Sequence, residues 1–165
     1  MTTAAALIDP IQFRNACGTF PTGVTIVTTR DASGKPVGMT ANSFSSVSLD
    51  PPLVLWSIAK TATAFTAFDT CSHFAIHILH SGQEAVSRLF ATKNADKFAE
   101  TEHAIAAGET PVLTDFNARF VCQVEHRYPG GDHIILVGRI VEFDNNDREP
   151  LVFFKGQYKA LADKQ

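Results

Sequence analysis

The stretch Phe120-Val121-Cys122-Gln123-Val124-Glu125-His126, joined through Tyr128-Pro129-Gly130-Gly131 to Ile134-Ile135-Leu136-Val137-Gly138-Arg139-Ile140-Val141-Glu142-Phe143, decides the architecture. Both halves are rich in β-branched and aromatic residues, and a proline-glycine turn separates them. They form two strands of an antiparallel pair.

The rest of the chain follows the same local logic. Gly23 to Thr29 and Pro36 to Ala41 flank the turn residues Asp31-Ala32-Ser33-Gly34 and make a second hairpin. Ser43 to Leu49 and Leu53 to Ile58 are strands on either side of Asp50-Pro51-Pro52, which removes two backbone donors and must leave a regular ladder. His73 to Leu79 alternates, with Phe74, Ile76 and Ile78 on one face, and Leu151 to Phe154 is a last short strand.

Helices are few. Asp9 caps and Pro10 opens one that stops at Gly18, with Gln12 in the capping-box position. A short helix is expected over Thr61 to Phe68. Another carries Val86, Leu89 and Phe90 behind a capping box in Ser81-Gly82-Gln83-Glu84, and a looser stretch runs from there to about Thr114. Six or seven strands with short local turns favour an antiparallel barrel with helical decoration over a doubly wound parallel sheet.

At 165 residues the chain fits one domain, 1–165, with no linker, repeat or low-complexity segment. A net charge of -3 with scattered Lys and Arg offers no basic stripe to a nucleic acid or an anionic membrane. No apolar run approaches the roughly 20 residues of a membrane span, and Met1 to Ile8 lacks the pattern of a signal peptide, so a cytoplasmic location is expected. Cys17, Cys71 and Cys122 have no CxxC spacing and read as reduced core cysteines. His73 and His77 are four apart on a strand, too spread for a helical metal pair, so no metal is expected.

Neither GxGxxG after a strand nor GxxxxGK[ST] occurs, so a nucleotide must be held in another way. Three segments are candidates. Thr40-Ala41-Asn42-Ser43-Phe44-Ser45-Ser46-Val47-Ser48 packs hydroxyls, an amide and small side chains where the edge of a planar ring can be read, although on composition the commoner origin of such a run is a polar strand edge. Lys60-Thr61-Ala62-Thr63 opens the expected helix, where free N–H groups and a full charge attract an anion; the competing reading is a Thr cap beside a solvated Lys. Gly130-Gly131-Asp132-His133 sets a His at a strand mouth, and a glycine-rich hairpin with an exposed His is the plainer reading.

Taken together and in order, these segments resemble the flavin reductase-like family of FMN-binding split barrels. The resemblance runs from Phe20-Pro21-Thr22-Gly23-Val24-Thr25-Ile26-Val27-Thr28-Thr29 through Gly38-Met39-Thr40 to Pro51-Pro52-Leu53-Val54-Leu55. It resumes at Gly131-Asp132-His133-Ile134-Ile135-Leu136-Val137-Gly138-Arg139-Ile140 and closes at Pro150-Leu151-Val152-Phe153-Phe154-Lys155-Gly156-Gln157-Tyr158, spanning roughly residues 13–161. It implies a mainly β, antiparallel split β-barrel with short helices, assembled as a homodimer that binds FMN or FAD near the interface. The implied activity is NAD(P)H-dependent reduction of that flavin, which then leaves for the oxygenase component of a two-component monooxygenase.

The resemblance also implies residue roles. Thr40, Ala41, Asn42, Ser43, Ser45 and Ser46 would lie along the isoalloxazine and ribityl chain, and Lys60, Thr61 and Ala62 would hold phosphate. Arg88 and Phe90, in Ser87-Arg88-Leu89-Phe90-Ala91, would add a flavin-side contact, and His133 would stand beside the nicotinamide. FMN against FAD stays open, as does NADH against NADPH. A flavin carrier or sensor without turnover, an oxidase of the pyridoxamine-phosphate type and a plain interaction barrel are the rival readings.

Overall fold

The structure, a computed structural model, describes residues 7–162. Met1 to Ala6, part of the stretch read above for a leader, and the last three residues of the chain lie outside it. The elements run in the order α1 Pro10–Cys17, β1 Thr22–Gly23, β2 Thr25–Arg30, β3 Pro36–Ala41, β4 Ser45–Leu49, β5 Pro52–Ala59, α2 Phe65–Thr70, β6 His73–Ile78 and α3 Glu84–Ala91. Then come β7 His103–Ala106, β8 Thr110–Leu113, β9 Ala118–Gly130, β10 His133–Asn145, β11 Val152–Phe154 and β12 Gln157–Lys159.

Seven strands form one antiparallel sheet in the order β3-β2-β6-β9-β10-β5-β4. Its two free edges, β3 and β4, are consecutive in the chain, and only Asn42-Ser43-Phe44 separates them. The curled sheet is therefore a barrel with a seam, and the polar run Thr40 to Ser48 lies along both lips of that seam.

The interior is filled by Val27, Val54, Trp56, Ile58, Phe68, Phe74, Ile76 and Leu136, all buried. Trp56 and Phe68 meet edge to face at 4.8 Å, an arrangement that suits the ring quadrupoles. Burying each such aromatic contributes about 2–3 kcal/mol. Outside the barrel, α3 and β11 cover a second cluster built on Val24, Ile26, Leu79, Phe90 and Leu151. The pair β7–β8 covers a third, of Ala75, Val112 and Val121.

These outer layers change the expected one-sided pattern of the sixth strand. Phe74 and Ile76 face the barrel, yet Ala75 and His77 on the opposite face are buried as well, because β8 packs over them. His77 donates from Nδ1 to the Ile26 carbonyl at 3.0 Å and accepts the Leu113 N–H on Nε2 at 3.0 Å. Both ring nitrogens are thus spent on backbone groups, and burial pushes the imidazole pKa down to about 4.

Several sequence expectations shift by a few residues. The helix expected from Thr61 begins at Phe65, because two turns, closed by Ala62 N–H to Ala59 O and Phe65 N–H to Ala62 O, come first. The capping box before α3 is made by His80 rather than Ser81: His80 Nδ1 accepts the Gly82 N–H and Gln83 Oε1 accepts the His80 N–H. The stretch read as loose holds β7 and β8. Of the three cysteines expected in the core, only Cys122 is buried; Cys71 is half-buried and Cys17 is exposed on α1.

Candidate functional site

The run over the seam divides into residues that hold the lips and residues that face outward. Thr40 Oγ1 donates to the Ser87 carbonyl at 2.6 Å and ties β3 to α3. Ser43 Oγ accepts the Ser57 N–H at 2.9 Å and lies 3.1 Å from the Ser57 carbonyl, so its side chain extends the β4–β5 ladder where the backbone leaves it. Phe44 turns inward and stacks on Phe120 with ring centroids 5.9 Å apart. Ala41 is half-buried against the barrel core.

Asn42, Ser45 and Ser46 are exposed. Asn42 and Ser46 make no side-chain hydrogen bond among the described residues, and Ser45 Oγ contacts only the neighbouring Ser46 carbonyl at 3.1 Å. A register shift between Ser46 and Ser48 pushes Val47 out of the ladder, a bulge that bends the edge strand. Free strand edges present alternating N–H and C=O groups. Here they flank three exposed polar side chains, the donor and acceptor set that a flat heterocycle with polar edges requires. The residues therefore fit a flavin ring by their chemistry.

Gly38, at the start of the run, shows why the helix beyond it belongs to the same place. A Cβ on Gly38 would lie 2.7 Å from Phe90 Cε1, so glycine lets α3 pack directly on β3. Phe90 is wholly buried and meets Phe98 edge to face at 5.3 Å. The Phe90 ring, expected beside the flavin, is engaged in the core, where it seats the helix on β3. Arg88, on the exposed face, takes Glu84 Oε1 through Nε at 3.0 Å and lies over the Tyr158 ring at 4.8 Å. The Glu84 hydrogen bond raises its pKa, and the guanidinium stays a cation over the Tyr158 ring.

Lys60 and His133 come together across β5 and β10. His133 pairs with Ala59, the Lys60 N–H donates to the Asp132 carbonyl at 2.9 Å, and Lys60 Nζ donates to the Gly131 carbonyl at 2.7 Å. His133 also pairs with Gly130, leaving Gly131-Asp132 as a two-residue turn with Gly131 at φ +68°. A tight hairpin takes glycine at that first position for this reason. His133 Nδ1 donates to Asp132 Oδ1 at 2.7 Å, and this hydrogen bond, followed by the charge of the imidazole, holds the Asp132 carboxyl below the usual carboxylate range.

In the linear chain 72 residues part Lys60 from His133; one strand pairing makes them neighbours. Helix-end attraction for an anion is not realised at Lys60, since α2 starts five residues later. What remains is the ammonium itself, with two further N–H donors directed away from Gly131. Thr61 is exposed beside it and Ala62 half-buried. From Ser57, where Ser43 docks, to Lys60 is three residues of extended chain, about 10 Å. That span suits a ring at the seam with a phosphate-bearing arm reaching Lys60.

The residue that sequence reasoning left without a role is Asp132, although it stands next to His133 in the quoted motif. Ser57 and Ser87 were also missed: they act through backbone groups, which no side-chain pattern reports.

Comparison with known proteins places this geometry. The family described as "Flavin reductase like domain" matches residues 17–162. The FMN reductase (NADH) SmoA of Agrobacterium fabrum is 45% identical over 92% of this chain and 86% of its own length. The reductase component of the flavin-dependent trigonelline monooxygenase of Acinetobacter baylyi is 43% identical over 92% of this chain and 49% of its own. The chain thus spans about half the length of some curated relatives it matches. Among solved structures, the NADH:FAD oxidoreductase of Streptomyces globisporus in complex with NAD and FAD fragments superposes with a TM-score of 0.87 at 37% identity, covering 96% of this chain and 98% of that one. A seamed antiparallel barrel, a polar run along its lips and a match over nearly the whole chain agree, and the chain belongs to the flavin reductase-like domain family.

Proposed function

We propose that the chain is an NAD(P)H-dependent flavin reductase that reduces FMN or FAD and passes the reduced flavin to a separate monooxygenase component. The observation that carries this reading is the open seam between β3 and β4, with Asn42, Ser45 and Ser46 exposed along it and Ser43 docked on Ser57, three residues of chain before Lys60 in the turn that also holds His133. Relatives named as an FMN reductase (NADH) and as a monooxygenase reductase component support it.

A flavin held at the seam would supply the hydride-accepting chemistry for a reduced nicotinamide. The chain's task is positioning. The seam residues and strand edges would fix the ring plane, Lys60 with Thr61 and Ala62 would neutralise and orient the phosphate, and Arg88, next to the Ser87 whose carbonyl Thr40 binds, would add a second cation. His133 holds the nicotinamide from the turn. No strong acid or nucleophile is needed, which agrees with a seam lined by amide and hydroxyl groups. FMN and FAD share the ring and first phosphate that these groups would touch, so both are substrates for the test. The active form is proposed to be cytoplasmic, and no helix among the described residues is long and apolar enough to cross a membrane.

Mixing the protein with free FMN or FAD and excess NADH, and following nicotinamide absorbance, tests the reading. Many turnovers per protein are expected; a single turnover of tightly held flavin would favour the carrier instead.

A homodimer belongs to the same proposal. The helix α1 is well capped, with Asp9 Oδ1 accepting the Ile11 N–H at 2.7 Å, yet it buries no residue within the chain. Leu49 and Phe143 are 94% and 68% exposed, on neighbouring parts of the β4–β5–β10 surface. Exposed apolar area of this kind is what a second copy covers. Light scattering at low micromolar concentration is expected to give twice the chain mass, and a monomer that still turns over would remove the interface from the mechanism.

A further inference from the structure

We propose that Asp132 is a positioning residue that fixes the Nδ1–H tautomer of His133 and so presents Nε2 as a hydrogen-bond acceptor to the carboxamide N–H of the nicotinamide. This inference rests on the reductase reading above. Its basis is the turn itself. Adjacent side chains on a mobile loop would meet only transiently, but this loop is two residues long, with Gly131 in the left-handed region and His133 locked in two ladders, to Gly130 and to Ala59. Lys60 closes it from outside by donating to both carbonyls that flank the Asp132 peptide, Gly131 O from Nζ and Asp132 O from its backbone N–H. On this fixed backbone the Asp132 carboxylate, its side chain 92% exposed, lies 2.7 Å from Nδ1.

An ionised carboxylate accepts and never donates, so the nitrogen facing it must carry the hydrogen. In the neutral ring the hydrogen is then absent from Nε2, which keeps its lone pair. A carboxamide offers N–H groups to such an acceptor, and its carbonyl cannot substitute. Free imidazole exchanges between both tautomers, and only one of them suits the ligand. Fixing the tautomer from a neighbouring carboxylate is the same device by which outer partners orient ligating histidines.

The test uses Asp132→Ala and Asp132→Asn in the full chain. Long-range proton–nitrogen NMR correlations on histidine-labelled, flavin-free protein report which ring nitrogen of His133 is protonated, whatever the activity. Wild type is expected to show Nδ1–H, D132A a mixture, and D132N a return toward Nδ1–H, because the Asn carbonyl accepts the same bond. In steady state, D132A is expected to raise the NADH KM roughly fivefold to tenfold, the worth of one oriented hydrogen bond, with kcat and flavin affinity little changed. D132N is expected to restore most of that KM. A D132A protein with the wild-type tautomer signature overturns the proposal, as does one whose tautomer changes while the NADH KM stays put. Failure of the wild-type protein to turn over would count against the reductase reading instead and leaves the tautomer measurement standing.

Discussion

His133→Ala is expected to lower kcat/KM for NADH by roughly tenfold to a hundredfold, about 1–3 kcal/mol of lost ring positioning, while flavin affinity stays close to wild type. The separation follows from which atoms the substitution removes. Truncation at Cβ takes away the imidazole, but the backbone of residue 133 keeps its pairs with Ala59 and Gly130, and Lys60 keeps its bonds to the carbonyls of Gly131 and Asp132. The turn therefore holds its shape and Lys60 its place. The seam residues Asn42, Ser45 and Ser46 lie on β4 and on its link to β3, away from the turn in the chain, so the ring site is undisturbed. Stopped-flow reduction of flavin-loaded variant, with flavin affinity measured separately by fluorescence, checks the prediction. Reduction at the wild-type rate at every NADH concentration would make His133 an ordinary hairpin residue.

How much of this was legible beforehand depended on the range of the interaction concerned. The first helix could be read to the residue because its determinants are local: Asp9 caps Ile11 and Gln12, Pro10 needs no partner for its missing N–H, and Gly18 ends it. The hairpin β2–β3 was equally plain. By contrast, β9 and β10 run 13 residues each, well past the apolar core of the quoted stretch. Their polar ends, such as Arg127-Tyr128-Pro129 and Asp144-Asn145, are strand because the neighbouring ladder continues, which composition does not record. The pair β7–β8 is not legible because each strand has only four residues, two of them Ala in β7 and one of them Pro111 in β8, and so carries no period.

The same contrast governs the site. The polar run was visible as a run, but which of its members face outward is decided by partners far along the chain: Ser57 for Ser43, Ser87 for Thr40 and Phe120 for Phe44. Residues that looked equivalent in a string of hydroxyls are sorted by these contacts into tethers and free groups. Phe90 was drawn to the site by its motif, and the clearance at Gly38 shows that it serves the site from inside the core.

His77 carries the largest expected effect on stability. Its imidazole is fully buried, with a pKa near 4 where an exposed histidine titrates at 6.5, because burial penalises the cation and outweighs the favourable Ile26 carbonyl. In the unfolded chain the ring takes up a proton as pH falls below 6.5, whereas the folded chain resists until about 4. The unfolded state thus binds more protons throughout that window, and folding free energy falls with pH across it. The loss is complete below the folded pKa and amounts to about 3 kcal/mol. Carboxyls held low in the fold, such as Asp115 and Glu125, act in the same direction only nearer their own ordinary range of 3.8 to 4.5. The assignment is checked with His77→Leu, which fills similar space without titrating. At pH 7 it should cost about 2–4 kcal/mol, since the Leu113 N–H and one acceptance by the Ile26 carbonyl are left unmet in a buried place. Between pH 6.5 and 4.5 its stability should fall less steeply than that of the wild type, so urea unfolding curves of the two proteins should approach each other as acid is added. Parallel curves over that window would mean that His77 is charged or solvated in the fold, and that the bridge from β6 to β2 and β8 is not as tight as its two hydrogen bonds describe.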